Sequence, residues 1–344
     1  MQGKKILIVT DAWKPQVNGV VRVIERTVAL LTERGYEITV IHPGLFRTMP
    51  MPFYPEIPLA LFPSKKIKQL IAEASPDAIH IATEGPLGIS ARNFCKRAGL
   101  TFTTEYHTHF PLYIDFYLKP DFGFTALAYR YLRWFHNGSG RTLVHTASLK
   151  TDLERHGFRD LVLTPLGVDT ELFRSRQGAE LPALKKPVFA YLGRIAKEKG
   201  VEEFLEADLP GTKLLIGDGP DRYHLEKKYP TGTYFAGYRT GVELAEWLSL
   251  ADVFVFPSRT ETFGLVVLEA LACGVPVAAH DVIGPRDILT PGVDGFLSDD
   301  LASAATECLS LDKAKCREKA LAYSWETSIE AFVENLENVS LQKK

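Results

Sequence analysis

Cysteine is scarce in this 344-residue sequence, and no two cysteines have CxxC spacing. The pattern predicts reduced, buried side chains at all four positions, Cys95, Cys273, Cys308 and Cys316. No stretch reaches the ~18 consecutive apolar residues of a membrane-spanning helix. The apolar run after the first lysines is too short for a signal peptide. We therefore expect a cytoplasmic protein that is soluble or only peripherally attached to a membrane.

The composition is that of a folded globular protein, with 46% hydrophobic and 24% charged residues. The length suits two domains of roughly 100–200 residues each. Residues 1–165 carry 20 basic and 14 acidic residues, whereas residues 166–344 carry 20 and 28. This asymmetry indicates different partners for the two halves, although chance and solvated surface explain it equally well.

Strands and helices alternate along the chain. Lys5–Thr10 is a short apolar run typical of a buried strand. A helix with apolar residues every three or four positions follows, Gly35 ends it, and Tyr36–Ile41 predicts the next strand. Further strands are predicted at 78–82, 101–106, 142–146, 161–164, 188–192, 213–216, 233–236, 253–256 and 275–279. Such βα repeats predict two doubly wound α/β domains, which bind ligands at the carboxyl ends of their strands.

The organisation follows from where this alternation lapses. We expect a first domain over residues 1–166, a linker over 167–187, a second domain over 188–323 and a terminal helix over 324–344. The last segment carries an apolar stripe through Trp325, Ile329, Phe332 and Leu336, so the helix must dock on something.

Two glutamates in the segment 261–269 are candidate ligand-binding residues. Glu261 precedes a predicted helix, whose free backbone N–H groups at 263–265 favour an anion. Glu269 lies inside this almost wholly apolar helix, where a carboxylate needs hydrogen-bond donors such as sugar hydroxyls. Alternatively, Glu261 only caps the helix and Glu269 pairs with a buried arginine.

Two cations follow the first strand of the second domain. Arg194 and Lys199 would lie at the carboxyl edge of the sheet, where they could hold two phosphates, although a basic loop is more often simply solvated. Gly19 follows the first strand of the first domain and would let backbone N–H groups approach a ligand, or only form a turn. The sequence contains no Asp-x-Asp to hold a metal against a pyrophosphate.

Two histidines, His107 and His109, follow another predicted strand. No matching third ligand group is evident nearby, so we expect no metal site. A histidine at a strand end that hydrogen-bonds a substrate hydroxyl is the favoured interpretation, and a backbone-bonded loop histidine is the alternative.

Together these motifs resemble the retaining glycosyltransferases of family 4, which have the GT-B fold. The resemblance rests on the glycine loop at 18–20, His107, Gly193-Arg194 with Lys199, the Gly-Asp-Gly-Pro of 217–220, and the Glu-x7-Glu of 261–269. It implies two Rossmann-like domains facing a central cleft, with the C-terminal helix crossing back to the first domain. Ile283-Gly284-Pro285-Arg286-Asp287 departs from the common Gly-Gly and Glu of many relatives.

The resemblance also implies a role for each candidate residue. The catalytic set would be His107, Arg194, Lys199 and Glu261. The donor would be bound by Gly19, Arg194, Lys199, Gly217, Tyr238, Glu261, Phe263, Gly264, Leu265 and Glu269. Within this set Glu269 would hold the ribose and Glu261 the sugar ring. The implied reaction is front-face substitution with retention, without a metal or other cofactor. UDP-hexose is the favoured donor and GDP-mannose the next.

The acceptor should bind the first domain, where residues 110–136 mix aromatic side chains with cations, and residues 43–63 are rich in Pro, Phe and Met. This pattern suits a membrane interface. The residues concerned are Phe110, Tyr113, Phe116, Tyr117, Arg130, Arg133 and Trp134. The first domain is most similar to enzymes that glycosylate diacylglycerol, which implies a lipid acceptor and an anionic inner membrane surface as partners. Alternatively, these aromatics form the domain core, and the acceptor is a soluble molecule or a polysaccharide precursor.

Two other classes of protein remain open. A nucleotide-sugar epimerase would share the scaffold but needs general acid and base groups, which the Glu-x7-Glu pattern does not favour. A non-catalytic nucleotide-binding module would bind a nucleotide without turnover. We expect no nucleic-acid partner.

Overall fold

The computed structural model describes residues 3–52, 54–117, 123–176 and 181–339. The chain forms two compact units, the first made of Met1–Pro165 with Glu326–Lys344 and the second of Leu166–Trp325. Part of the stretch expected as a linker packs within the second unit, where Arg317 donates to the backbone carbonyls of Thr170 and Phe173.

The first unit is built on a parallel sheet. Its strands are β1 (Lys5–Val9), β2 (Glu37–Ile41), β3 (Thr48–Met51), β4 (Tyr54–Ala60), β5 (Ala78–Ile81), β6 (Thr103–Glu105), β7 (Arg141–Val144) and β8 (Leu161–Leu163). Six of them pair in the order β2-β1-β5-β6-β7-β8, all parallel, while β3 and β4 form a separate antiparallel hairpin. The chain winds outward from β1 in both directions, so the topological switch point lies between β1 and β5.

Six helices connect these strands. They are α1 (Gly19–Glu33), α2 (Ser64–Ala74), α3 (Pro86–Ala98), α4 (Phe110–Tyr117), α5 (Phe124–His136) and α6 (Ala147–Arg155). The start of α1 is set by Asn18, whose side chain accepts from the backbone N–H of Val21. Gly35 adopts the left-handed conformation expected of a helix terminator, with a φ of 83°.

The second unit repeats the plan. Its strands are β9 (Val188–Leu192), β10 (Thr212–Ile216), β11 (Thr233–Gly237), β12 (Val253–Phe256), β13 (Val277–Ala279) and β14 (Gly295–Leu297). They pair in the order β11-β10-β9-β12-β13-β14 and every pair is parallel, which puts the switch point between β9 and β12. Its helices are α7 (Val201–Glu206), α8 (Arg222–Lys228), α9 (Gly241–Ser249), α10 (Leu265–Ala272), α11 (Pro285–Ile288), α12 (Leu301–Cys308) and α13 (Lys313–Leu321).

The terminal helix α14 (Trp325–Asn335) returns the chain to the first unit, as expected from the sequence. Ile329 and Phe332 of this helix, and Leu336 just after it, are buried in the same cluster as Ile6 and Ile8 of β1. The segment after it is tied to the sheet, since the N–H of Val339 donates to the Asp77 carbonyl at 2.8 Å. The first core is thus completed by residues about 300 positions away in the chain.

The expected doubly wound fold is confirmed, but several elements were not anticipated, including strand β14 at the end of the second sheet. The expected strands all form, within a few residues of their expected ends. Helix α4 was not anticipated because its residues, Phe-Pro-Leu-Tyr-Ile-Asp-Phe-Tyr, are apolar nearly all round and show no helical period. The β3–β4 hairpin was also not anticipated, because prolines interrupt both strands. All four cysteines are buried and reduced, as predicted.

Candidate functional site

The carboxyl edge of the second sheet is lined by glycine backbone. A Cβ atom on Gly217, whose φ is 142°, would lie 1.9 Å from the Gly193 carbonyl oxygen. A Cβ on Gly219 would lie 2.2 Å from the carbonyl oxygen of Ile195. The loops after β9 and β10 therefore pack backbone to backbone, which only glycine permits. Such loops present N–H groups, rather than side chains, to a ligand at the sheet edge.

A salt bridge joins two predicted site residues across the switch point. Lys199 lies in a 3-10 turn after β9, and Glu261 lies in the loop after β12. The Nζ of Lys199 donates to Oε1 of Glu261, which also accepts from the Ser258 hydroxyl at 3.3 Å. Both charged side chains remain about one-fifth exposed, so a ligand can still reach them. Arg194, five residues before Lys199, is half-buried, and its carbonyl accepts from the Tyr191 hydroxyl at 2.7 Å.

Helix α10 begins beside this salt bridge. Gly264 adopts a φ of 90° and turns the chain into the helix at Leu265. The Val267 N–H donates to the Gly264 carbonyl, while the N–H groups before it point out of the start of the helix, as at any helix N-terminus. The Phe263 side chain is buried, and its ring centroid lies 6.4 Å from that of Tyr323. Only the backbone of Phe263 is therefore placed to contact a ligand. A Cβ on Gly284 would lie 2.6 Å from the Phe263 carbonyl, so the divergent loop 283–287 also packs against this turn.

Two further predicted donor residues differ strongly in exposure. Glu269 lies in the second turn of α10 with only 3% of its surface exposed, amid the buried side chains of Leu268 and Ala270. A carboxylate at this depth requires hydrogen-bond donors. Tyr238 directly follows β11 and is 50% exposed. The neighbouring Gly237 carbonyl accepts from the N–H of Gly217 at 2.9 Å, which ties this edge loop to the glycine loops.

A charged network that sequence reasoning missed lies behind the Glu261 loop. His280, fully buried after β13, has its Nε2 3.1 Å from a carboxylate oxygen of Glu203. Arg259 contacts the same Glu203 oxygen at 3.4 Å and Asp299 at 3.1 Å. These contacts fix the loop two residues before Glu261. The residues come from four separate loops and helices, so no local pattern could have indicated them.

In the first unit, Gly19 is the first residue of α1. A Cβ at this position would meet no atom within 4 Å, so the fold itself does not demand glycine here. The helix cap is supplied by Asn18.

Asp11 was not singled out in the sequence, yet it follows β1 directly at the switch point. Its carboxylate accepts from the backbone N–H groups of Leu87 at 2.9 Å and Gly88 at 3.3 Å, and from the Thr83 hydroxyl at 3.0 Å. Burial nevertheless raises the pKa of Asp11 to about 6, because these hydrogen bonds offset only part of the desolvation. An acidic residue immediately after the first buried strand was the signal available in the sequence.

His107 belongs to a buried cluster around Glu105. The Nε2 atoms of His80, His107 and His145 lie 3.0, 3.2 and 3.1 Å from Glu105 carboxylate oxygens. Burial opposes ionisation of Glu105, but the facing His107 and the hydrogen bonds from the histidines hold its pKa well below the usual range. Burial likewise opposes a charge on His107, yet Glu105 raises the pKa of this histidine. Glu105 and His107 therefore each favour the charged form of the other.

His109 does not join this cluster. Its Nε2 lies 3.3 Å from a carboxylate oxygen of Asp152, and its ring packs edge-on against Tyr129. The sequence showed no third potential metal ligand beside the two histidines. In the structure, Glu105 and the more distant His145 approach His107. Among the described residues, Glu105, His107 and His145 offer ligand atoms that all lie within 4.8 Å of one another.

The aromatic residues of 110–136 divide into a buried and an exposed set. Leu132, Phe135 and His136 are buried, in agreement with a structural role. Others are exposed by 38–57%, namely Phe110, Phe116 and Tyr117 on α4 and Phe124, Leu127, Tyr131 and Trp134 on α5. The four on α5 recur at spacings of three, four and three, so they share one helix face. Arg130 and Arg133 are exposed on the same helix, whereas Tyr113 is half-buried.

Comparisons with known proteins agree with this geometry. Residues 17–172 match the family described as Glycosyltransferase Family 4, and residues 174–314 match Glycosyl transferases group 1. The chain is 31% identical over 323 residues to the GDP-mannose-dependent alpha-mannosyltransferase of Mycobacterium tuberculosis, covering 86% of this chain and 84% of the relative. It is 33% identical over 315 residues to the sulfoquinovosyl transferase SQD2 of Arabidopsis thaliana, covering 82% and 61%.

The fold is also found in solved structures. The sucrose-phosphate synthase from Thermosynechococcus elongatus superposes with a TM-score of 0.77 over 96% of this chain and 98% of that one, at 21% identity. These findings confirm the family and the fold expected from the motifs. The chain therefore belongs to the family 4 glycosyltransferases, enzymes that use a nucleotide-sugar donor, and has their GT-B fold.

Proposed function

We propose that this glycosyltransferase moves a hexose, with retention and without a metal, from a nucleotide-sugar to a lipid acceptor at the inner membrane face. One observation carries the proposal for the donor site. At the switch point of the second sheet, the glycine loops, the Lys199–Glu261 salt bridge and the start of α10 come together. Ligands of doubly wound sheets bind at such switch points.

The diphosphate is assigned to the cationic side of this site. Arg194 and Lys199 supply two positive charges, and the first turn of α10 supplies N–H groups from Leu265 onward. On diphosphate binding, Lys199 would exchange part of its contact with Glu261 for a phosphate oxygen. The chain contains no Asp-x-Asp, and these groups would do the work that a bound Mg²⁺ does in other transferases.

The nucleoside and the sugar are assigned to the remaining residues. Glu269 would accept from the two ribose hydroxyls, an expectation that follows from its place in the Glu-x7-Glu segment. Glu261 and the backbone of 263–265 would bind the sugar ring. The half-exposed ring of Tyr238 offers a flat surface to the base beside Gly217. The roles expected for Gly19 and His107 of the first unit stay predictions.

The reaction proposed needs no nucleophilic side chain. The bond from the anomeric carbon to the diphosphate oxygen breaks while the acceptor oxygen bonds to the same face of that carbon. The acceptor proton passes to the departing phosphate oxygen. Arg194 and Lys199 stabilise the negative charge that develops on the leaving group, which is commonly the largest electrostatic contribution to catalysis. Retention follows because both bonds involve one face of the sugar.

The donor is either a UDP-hexose or GDP-mannose. The resemblance of the motifs favours a UDP-hexose, whereas the name of the M. tuberculosis relative favours GDP-mannose. The two donors differ in base and sugar but share the diphosphate and the ribose, so both satisfy the assignments above.

A lipid surface is the proposed location of the acceptor. The exposed apolar face of α5, with Arg130 and Arg133 on the same helix, combines apolar burial with attraction to anionic headgroups. Lys65, Lys66 and Lys68 on α2 add positive charge to the same unit. Among the described residues no helix is long and apolar enough to cross a membrane. A soluble or polysaccharide-precursor acceptor would not account for the exposure of this apolar face.

A ligand panel tests the donor site. We expect UDP, GDP or one of their sugars to raise the melting temperature of the full chain, because a ligand specific to the folded state stabilises it. Glu269→Gln should weaken nucleotide binding about 10-fold or more by calorimetry, the loss expected for one charged hydrogen-bonding partner. Asp294→Asn is the matched control. Asp294 is another buried carboxylate of the same unit, with 1% of its surface exposed. It lies just before β14, the outermost strand of the sheet. Equal affinity in wild type and Glu269→Gln would contradict the ribose assignment.

Product analysis tests the chemistry. Incubation with donor and diacylglycerol vesicles should yield a glycolipid whose anomeric configuration, read by NMR, matches that of the donor, and EDTA should not reduce the rate. A changed sugar without acceptor would indicate an epimerase instead. Nucleotide binding without turnover would indicate a non-catalytic module. Failure of the protein to float with anionic liposomes would count against the membrane location.

A further inference from the structure

Phe62 lies in the turn between β4 and α2 of the first unit. With 96% of its surface exposed, it is the most exposed large apolar residue among those that the structure describes. Its backbone φ is 48°, in the left-handed region that a bulky side chain rarely adopts. The other non-glycine residues with a positive φ in the described chain, Ser75 and Asp160, are polar. A phenylalanine in this turn is unfavourable to the fold in both conformation and hydration, which indicates a contact outside the fold.

The turn that carries Phe62 is held firmly on both sides. Ala60 before it and Pro63 after it are buried. The backbone N–H of Leu61 donates to the carbonyl of Arg47 at 2.8 Å, which ties the turn to the preceding hairpin. The backbone around Phe62 is therefore fixed, while the side chain faces solvent.

Apolar residues and cations surround this turn. The Nζ of Lys66 donates to the Leu45 carbonyl at 2.6 Å and lies 5.4 Å from the centroid of the Phe46 ring, so the loop before β3 packs beside the start of α2. Residues 43–70 contain four basic residues and one acidic residue, which makes the surroundings positively charged. We define the Phe62 patch as the exposed residues Leu45, Met49, Leu61, Phe62, Lys65 and Lys68.

The Phe62 patch lies on the same layer of helices as the exposed face of α5. One core cluster contains buried residues of α2, α3 and α5, so these helices cover the same face of the first sheet. Helix α3 contacts both of the others. Its Ser90 hydroxyl lies 3.2 Å from that of Ser64, two residues after Phe62, and its Arg92 donates to the Trp134 carbonyl at 2.6 Å.

We propose that Phe62 inserts into an anionic lipid surface, as a second contact point besides the exposed face of α5. A ring that leaves water for the acyl boundary gains the free energy of apolar burial, and the surrounding cations attract anionic headgroups. The excess of positive charge favours lipid over an apolar protein surface as the occupant. Two contact points on one layer of helices fix which side of the first unit faces the membrane. The inference rests on the proposed membrane location and names the residue that enters the lipid.

The first experiment measures partition of the full chain to vesicles of mixed phosphatidylglycerol and phosphatidylcholine. Phe62→Gly should lower the partition about 10-fold, because the apolar area of the ring is lost. Its melting temperature should not fall, since glycine adopts this φ without strain and no buried contact is removed. Phe62→Trp should bind at least as tightly as the wild type, because tryptophan favours the headgroup level.

Ser75→Gly is the matched control for the backbone. Ser75 has a φ of 44° and ends the same helix at its opposite terminus. The substitution places glycine in the same backbone conformation but removes no apolar side chain. This variant should bind the vesicles as the wild type does.

A second measurement locates residue 62 directly. The four native cysteines are buried, so a thiol introduced by Phe62→Cys reacts selectively with a polarity-sensitive dye. The dye emission should shift to the blue when vesicles with phosphatidylglycerol are added, and much less with phosphatidylcholine alone. The same dye on Ser75→Cys, an exposed position on the same helix, should show no shift.

The outcomes separate this inference from the proposed function. A wild type that binds no vesicles would overturn both the membrane location and the insertion of Phe62. Equal binding by Phe62→Gly and Ser75→Gly, with an unshifted dye at position 62, would overturn the insertion alone and leave α5 as the contact. If size-exclusion chromatography showed a dimer that Phe62→Gly dissociates, with vesicle binding unchanged, the occupant would be a second copy of the chain and the lipid assignment would be wrong.

Discussion

The carboxyl edge of the second sheet consists of glycine backbone and partly exposed charges, whereas that of the first consists of fully buried histidines and acids. In the second unit, Gly217 packs its backbone against that of Gly193, and the Lys199–Glu261 salt bridge joins two loops at the same edge. In the first unit, the acids are enclosed, and their hydrogen bonds go to neighbouring side chains and backbone.

This difference shows how one fold can prepare two kinds of site. Backbone N–H groups and partly exposed cations suit a phosphate, which brings its own negative charge. A cluster that is satisfied internally instead fixes the positions of its members. We therefore expect charges at the edge of the second sheet to act on a ligand, and buried polar groups at the edge of the first sheet to act on the stability of the fold.

The largest effect on turnover is expected from the loss of Lys199, a cation at the carboxyl edge of the second sheet. Lys199→Ala should lower kcat by about 100- to 1000-fold, as does the loss of a preorganised group that stabilises the transition state. Lys197→Ala is the control, because Lys197 lies in the same 3-10 turn and is exposed. It should change kcat less than about two-fold. Steady-state rates with saturating donor and acceptor decide, and equal losses in the two variants would contradict the role of Lys199.

The next effect concerns glycine packing. Gly217→Ala should lower the free energy of unfolding by about 3 kcal/mol, since the added Cβ overlaps the Gly193 carbonyl and adopts a strained φ. Gly232 also has a positive φ, 72°, but a Cβ there would meet no atom within 4 Å. Gly232→Ala therefore measures the backbone strain alone and should lower the free energy of unfolding by about 1 kcal/mol. Urea denaturation measures both. A Gly217→Ala variant as stable as Gly232→Ala would mean that the two loops can separate.

The stability of the first unit should instead depend on pH through Asp11, which lies at the carboxyl edge of its sheet. Its pKa is raised from 3.8 to about 6, so the folded state holds this proton more tightly than the unfolded state. The stability from Asp11 is therefore complete below pH ~4 and lost as pH rises through ~6, a fall of about 3 kcal/mol. Asp11→Asn removes this contribution. Denaturation of both proteins between pH 4 and 7 should show a difference that changes by that amount, and a constant difference would exclude the shift.

The smallest effect on the fold is expected on the exposed face of α5. Phe124→Ser with Leu127→Ser should reduce partition to anionic vesicles about 10-fold, because less apolar surface enters the headgroup region. Stability should change by less than about 0.5 kcal/mol per site, since both side chains are exposed. Tyr223→Ser with Val242→Ser removes comparably exposed apolar residues from the second unit and should leave partition unchanged. An equal loss in both double variants would mean that binding to vesicles is non-specific.

The sequence predicted the structural features that depend on residues close together in the chain. The βα alternation appeared as apolar runs and helical periods, and the apolar run from Leu265 to Ala272 indicated the burial of Glu269 before the structure was known. The same reasoning missed the cluster of Glu105 with His145, which are 40 positions apart. Only strand register brings them together, and register follows from long-range packing rather than from neighbours in the chain. The aromatic residues of 110–136 were divided correctly only by the structure, because exposure depends on what packs over each helix.

The return of α14 to the first unit has a consequence for how the protein is made. Residues from Glu326 onward are synthesised after the second unit, yet Ile329 and Phe332 fill the core that β1 begins. On the ribosome, the second unit is therefore the first to have its whole chain available, although it is encoded later. Until α14 emerges, the first unit exposes an apolar surface around Ile6 and Ile8, where a chaperone can bind. A stop codon just before α14 would thus leave the core of the first unit incomplete.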